Sequence, residues 1–149
     1  MWRGRPPAFC LDAKVAMKTR GAQREALEAI GREVYFAGLE VHKHLGPGML
    51  ENAYQVCYVH ELSSRGLKVA SEVPLAIDYK GLSVPNAYRI DILVEDCLPI
   101  ELKSVEEIHP RHKAQLLTYL KYGGFQLGFL INFNVRLFKT GLTRLVNGL

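Results

Sequence analysis

Disulfide chemistry is absent from the logic of this chain. Its cysteines, Cys10, Cys57 and Cys97, are odd in number and far apart, and they match neither a disulfide framework nor a zinc-ligand spacing. Three free thiols in a reducing cytoplasm are the expectation. No apolar run approaches the ~20 residues needed to cross a bilayer, so no membrane partner is expected. The opening Met1-Trp2-Arg3-Gly4-Arg5-Pro6-Pro7 has no apolar stretch behind it, which argues against a secretory signal peptide. Internal repeats and low-complexity tracts are missing too. So is a strong excess of one charge: 19 basic and 15 acidic residues leave +4, compatible with a polyanionic partner without demanding one.

What is present suits one globular domain. With 149 residues, 48% of them hydrophobic, the chain can bury a core without staples. Residues 1–20 carry Gly4, Pro6 and Pro7 and no periodicity, and are expected to form a mobile extension before a single domain at 21–149. From Arg24 to His44, Leu27, Ile30, Val34, Val41 and Leu45 recur at three- or four-residue steps around Ala37 and Gly38. That is an amphipathic helix, ended by Gly46-Pro47-Gly48. A second helix is predicted from Met49 to Ser64. Strands follow at Leu67–Tyr79 and, past a Lys80-Gly81 turn, through Leu82-Ser83-Val84 to Val94. Pro110 opens a third helix that Gly123-Gly124 closes, and Phe125–Phe133 and Val135–Val146 read as two last strands. The order ααβββαββ implies an α/β fold, a mixed sheet flanked by helices.

The chemistry concentrates at Asp91, Glu101 and Lys103. Tyr88–Val94 and Leu98–Lys103 are strand-like, and Glu95-Asp96-Cys97 is short enough to close a hairpin between them. Glu101 and Lys103 then point to one face while Ile100 and Leu102 point to the other. Two carboxylates and an ammonium would meet on a sheet otherwise made for burial, and a divalent cation is one of the few partners that stabilises two buried carboxylates at once. Hard oxygen ligands suit Mg²⁺ or Mn²⁺. The alternative is purely structural: Asp91 paired with Arg89, and Glu101 with Lys103.

Asp91-x9-Glu101-x-Lys103 resembles the signature of the PD-(D/E)XK nuclease superfamily, with Ile90 where that signature often has Pro. Gly48-Met49-Leu50-Glu51-Asn52-Ala53-Tyr54, preceded by Val41-His42-Lys43-His44-Leu45-Gly46-Pro47, is similar to the motif of the GxxExxY family within it. Glu61-Leu62, Tyr88-Arg89-x-Asp91, Gln115-x3-Tyr119-Leu120 and Leu130-Ile131-Asn132-Phe133 match in order, over roughly residues 28 to 146. The resemblance implies a restriction-endonuclease-like fold and hydrolysis of nucleic acid, DNA in the first place, by metal-activated water.

It also implies roles. Asp91 and Glu101 become metal ligands, with the backbone carbonyl of Leu102 as a third, and Lys103 the catalytic lysine. Glu51, at the edge of an apolar stripe through Ala53, Tyr54, Cys57, Tyr58 and Leu62, would reach the metal directly or through water. A first-turn acid favoured by the helix dipole is the plainer account of Glu51. Gln115 and Tyr119, four apart on one helix face, resemble a Gln-x3-Tyr signature of repair nucleases and exonucleases in the superfamily, and with Tyr54 they are candidate substrate contacts. Arg111, His112, Lys113 and Lys121 form a basic helix face, a phosphate track or a solvated surface, from which Arg111 and Lys121 are taken as substrate contacts. Glu61, inside the apolar stripe, needs a cation, for which Arg89 is the candidate. Asn132 is expected to be structural. His42 and His44 project about 200° apart on a helix, a poor ligand pair. His109 and His112 are better spaced, but a structural role is expected there too. Two rivals remain: a nuclease fold kept as a binding or interaction module without catalysis, and a hydrolase of a smaller phosphoester.

Overall fold

A computed structural model describes residues 20–149. The expected mobile extension thus lies outside the described residues, except for Arg20, which begins the first helix. Helices α1 (Arg20–Leu45) and α2 (Glu51–Ser64) precede strands β1 (Val69–Tyr79), β2 (Leu82–Val94) and β3 (Leu98–Lys103). Then come α3 (Pro110–Gly123), β4 (Leu127–Asn132), the short α4 (Phe138–Gly141) and β5 (Leu142–Val146). The sheet runs β1-β2-β3-β4-β5, antiparallel except for the parallel β3–β4 pair. That parallel step needs a crossover, and α3 supplies it.

Alternation along the strands builds two cores. Ile92, Ile100, Leu102, Phe129 and Ile131 face α1 and α2, against Val34, Tyr54, Tyr58 and Leu62. Leu93 and Leu130 face α3, against Leu116, Tyr119 and Leu120. The result is an α/β sandwich with a mixed five-stranded sheet, consistent with the restriction-endonuclease-like fold. Gly46, at φ +66°, ends α1 in the left-handed region, its amide donating to the His42 carbonyl at 2.8 Å. A Cβ at Gly38 would stand 2.4 Å from the Phe138 ring, so glycine there lets that ring pack against α1.

Both hairpins fall where expected. Lys80 and Gly81 take positive φ in the β1–β2 turn. Glu95 and Asp96 do so in the β2–β3 turn, an unusual conformation for two acids. Lys68 holds them, through its amide on Glu95 at 2.8 Å and its ammonium on Asp96 at 2.5 Å.

One strand differs from expectation. Instead of a continuous strand from Val135 to Val146, Phe138–Gly141 coils into a helical turn and only Leu142–Val146 pairs with β4. Burial explains the change. Phe138 turns inward against Tyr35, His42 and Phe133, while the Val135 carbonyl meets His42 Nε2 at 2.7 Å. An extended chain would carry the Phe138 ring away from that cluster.

Candidate active site

Strands β2 and β3 pair from Val94↔Leu98 to Ile92↔Ile100, and the ladder then stops. Beyond it the Leu102 amide donates to Asp91 Oδ2 at 2.8 Å, while β3 stays paired with β4 through Lys103. The carboxylate of Asp91 therefore fills a split in the sheet. Glu101 and Lys103 emerge on the α3 side, opposite Ile100 and Leu102, with Nζ 3.4 Å from Oε1. Glu101 is only 3% exposed, and its Oε2 is buried without a hydrogen-bond partner. Leaving such an oxygen unmatched is costly.

Burial raises the Asp91 pKa above its usual value, against the opposing pull of the Leu102 amide and Lys103. Glu101 is pushed up to about 8, first by burial and then by the Asp91 charge, with Lys103 only partly compensating. The pair is thus short of positive charge even with the lysine present.

The second helix delivers Glu51 to the same place. Its carboxyl is also raised, mainly by burial, and feels Lys103, Asp91 and the Ser104 amide. Two contacts that the sequence pattern did not reveal hold this helix end on the sheet. Gln55 Nε2 donates to the Asp91 carbonyl at 3.3 Å, and Ser104 Oγ donates to the Met49 carbonyl at 2.6 Å. Polar residues one turn beyond Glu51 and one beyond Lys103 were the only signals available. The N-cap is Leu50, which offers no side-chain hydrogen bond. Helices favour Ser, Thr, Asp or Asn there, by about 1 kcal/mol over an apolar residue.

Tyr54 needs correcting as a substrate contact. It is fully buried, stacked on Phe133 with centroids 4.6 Å apart. Its hydroxyl donates to the Gly46 carbonyl at 2.5 Å and accepts from the Met49 amide at 3.2 Å, which fixes the α1–α2 turn. Packing and a saturated hydroxyl leave no surface for a ligand.

On the other side of the site, Gln115 Nε2 donates to the Tyr119 hydroxyl at 2.6 Å, and that hydroxyl donates to the Arg89 carbonyl at 3.0 Å. Burial and the Glu101 charge raise the Tyr119 pKa. An open groove of about 450 Å³ is lined by Tyr88, Lys103, Arg111, His112, Gln115 and Thr118, among others. Arg111 therefore lies beside the site, and Tyr88 joins it. Lys121 does not line the groove, and its ammonium sits 5.2 Å from the centroid of the Tyr122 ring. Ten residues along a helix are about 15 Å of rise, which separates it from Arg111.

The remaining polar residues settle into structure. His109 and His112 form a reciprocal cap on α3, His109 Nδ1 accepting from the Arg111 amide and His112 Nδ1 from the His109 amide. Burial and the neighbouring Lys103, Arg111 and His109 charges lower the His112 pKa. Asn132 brackets Val105, accepting from its amide at 3.1 Å and donating to its carbonyl at 2.9 Å. Glu61 does not use Arg89. It pairs with Arg65 at 3.0 Å, one helical turn on, and Arg89 lies 3.8 Å from Glu72 in solvent. The α2 stripe that is buried is Tyr54, Tyr58 and Leu62, which leaves Glu61 at its edge.

The donor set fits a hard divalent cation. Asp91 and Glu101 offer hard carboxylate oxygens, one of them orphaned. No group of three His, Cys, Asp or Glu side chains at ligand spacing occurs among the described residues, so Glu51 is not an immediate third ligand.

Paired acids in a strand split, an adjacent lysine and a helix-borne acid thus meet on one mixed sheet. The family model of the PD-(D/E)XK nuclease superfamily matches residues 28–145, and the chain belongs to that superfamily. Neither the curated proteins nor the solved structures contain a match. Superfamily members generally use divalent metals. No helix among the described residues is long and apolar enough to cross a membrane.

Proposed function

We propose that this domain is a Mg²⁺- or Mn²⁺-dependent nuclease of the GxxExxY branch that hydrolyses phosphodiester bonds of DNA in the cytoplasm. The observation that carries this reading is half-buried Asp91 and buried Glu101 beside Lys103, with one Glu101 oxygen unmatched. Burying that oxygen unmatched is costly, and a cation bound to it would offset the cost. Asp91 and Glu101, with the Leu102 carbonyl, would hold the cation. When bound, it neutralises charge on the phosphoryl oxygens and supplies an activated water. The Lys103 ammonium orients the attacking water and offsets charge developing in the transition state. Glu51, whose helix end is held on the sheet by Gln55 and Ser104, would act on the cation through water. Gln115 and Arg111, on the groove, receive the substrate phosphates, while Tyr119 keeps Gln115 in place. The free thiols, Cys57 and Cys97, suit a reducing compartment.

The test is degradation or nicking of labelled DNA and RNA with Mg²⁺ or Mn²⁺, beside Asp91→Ala and Lys103→Ala. Cleavage of DNA that both substitutions abolish is the expected result. Binding without cleavage under any divalent ion would favour a non-catalytic module instead. Lys103-dependent hydrolysis of a small phosphoester, with nucleic acid left intact, would move the activity to another substrate.

A further inference from the structure

The turn between α1 and α2 is held by two side chains through three hydrogen bonds, yet what it displays is apolar. Its Gly46 carbonyl and Met49 amide share the Tyr54 hydroxyl, and its Met49 carbonyl accepts from Ser104 Oγ at 2.6 Å. On this fixed backbone Met49 is 37% exposed and Leu50 82%, the most exposed large apolar side chain among the described residues. Leu50 also takes the N-cap position of α2, where a serine or aspartate would satisfy an orphan amide. Neither packing nor helix capping accounts for a leucine there.

Its location suggests a ligand. Leu50 directly precedes Glu51, and the Met49 carbonyl is tied to the residue after Lys103. Across the site lies the groove with Lys103, Arg111, His112 and Gln115. A strand with its phosphates in that groove and its bases toward the turn would bring a base step against Leu50. Base faces are apolar, and aliphatic side chains enter base steps and unstack them when burial of the wedge offsets the lost stacking. A wedge must also be rigid, and the anchoring of this turn makes it so.

We infer that Leu50, flanked by Met49, is a wedge that enters the base stack beside the scissile phosphate. The substrate is then base-paired nucleic acid, opened locally at the step to be cut. This rests on the nuclease reading above.

Leu50→Ser and Leu50→Phe separate the wedge from the cap. The serine variant supplies a better N-cap and so should melt no lower than wild type. It should nonetheless lose about 10-fold or more in kcat/KM on a duplex, while changing roughly 2-fold or less on the same strand left single. Phenylalanine keeps an apolar wedge and should retain most duplex cleavage. A duplex carrying 2-aminopurine at successive positions, bound to the Lys103→Ala protein with Mn²⁺, should brighten at one step, and Leu50→Ser in that background should remove the signal. Equal effects of Leu50→Ser on duplex and single strand would overturn the wedge and leave the nuclease reading standing. So would a wild type that cuts single strands only. A wild type that cuts no nucleic acid with any divalent ion would remove both.

Discussion

The Leu102 amide donates to Asp91 Oδ2 at 2.8 Å, at the point where β2 and β3 part. A backbone donor that lost its strand partner is satisfied by an acid from the neighbouring strand, so one bond both closes the split and orients the carboxylate. Asparagine can accept the same bond through its oxygen, whereas alanine cannot. Asp91→Asn should therefore stay folded and lose its response to Mn²⁺, while Asp91→Ala should lose about 1 kcal/mol of stability as well. Thermal melts with and without Mn²⁺ measure both effects. A wild-type-like Mn²⁺ shift in the asparagine variant would mean that these carboxylates are not the metal site.

Glu101 ties stability to pH. Its folded pKa, about 8, stands above its ordinary value of 4.5. Between those values the native state binds more protons than the unfolded chain, so this group's contribution to stability falls as pH rises from 4.5 to 8 and levels off beyond. Glu101→Gln removes the titration. In chelator the variant should be more stable than wild type at pH 8, by on the order of a few kcal/mol, with the gap closing toward pH 4.5. Mn²⁺ at pH 8 should stabilise wild type and leave the variant unmoved. Parallel stability profiles from pH 4.5 to 8 would contradict the raised pKa.

Sequence alone carried the site's skeleton because that skeleton depends on short-range periodicity. Two-residue alternation places Glu101 and Lys103 together, and a short turn returns Asp91 to them. Gln115 and Tyr119 meet for the same kind of reason, one helical turn apart. What alternation cannot encode is the end of the β2–β3 ladder, which is set by tertiary pairing of β3 with β4. Nor can it reveal that the Tyr54 hydroxyl closes the turn before its own helix, or that Gln55 and Ser104 lock Glu51 in place. Glu61 pairs with Arg65 and not with Arg89 because the buried stripe of α2 is narrower than its apolar composition suggests. The helical turn at Phe138 has no local signal because its cause lies in aromatic partners more than ninety residues away in the chain, Tyr35 and His42.

Lys103 separates chemistry from binding. Its ammonium lies 3.4 Å from Glu101 and on the wall of the groove, one positive charge beside the candidate metal site. Such a charge acts most strongly where negative charge develops, in the transition state. Lys103→Ala should reduce cleavage to background while shifting DNA affinity by only about 2- to 3-fold. Single-turnover cleavage and fluorescence anisotropy on one oligonucleotide give the two numbers. Parallel losses in both would make this lysine a binding residue and weaken the catalytic assignment.

Arg111 and Lys121 test where the strand lies. Both are exposed on α3, but only Arg111 lines the groove beside Lys103 and Gln115. Each phosphate contact made by a cation adds about 0.9 to the magnitude of the slope of log affinity against log salt on duplex DNA, through counterion release. Removing Arg111 should therefore weaken binding most at low salt and flatten that slope by about one contact. Removing Lys121, some 15 Å further along the helix and lying over Tyr122, should leave the slope unchanged. Titrations of both alanine variants across a range of salt concentrations decide the matter. An unchanged slope for Arg111→Ala with a flattened one for Lys121→Ala would route the nucleic acid over the far end of α3 and away from the groove.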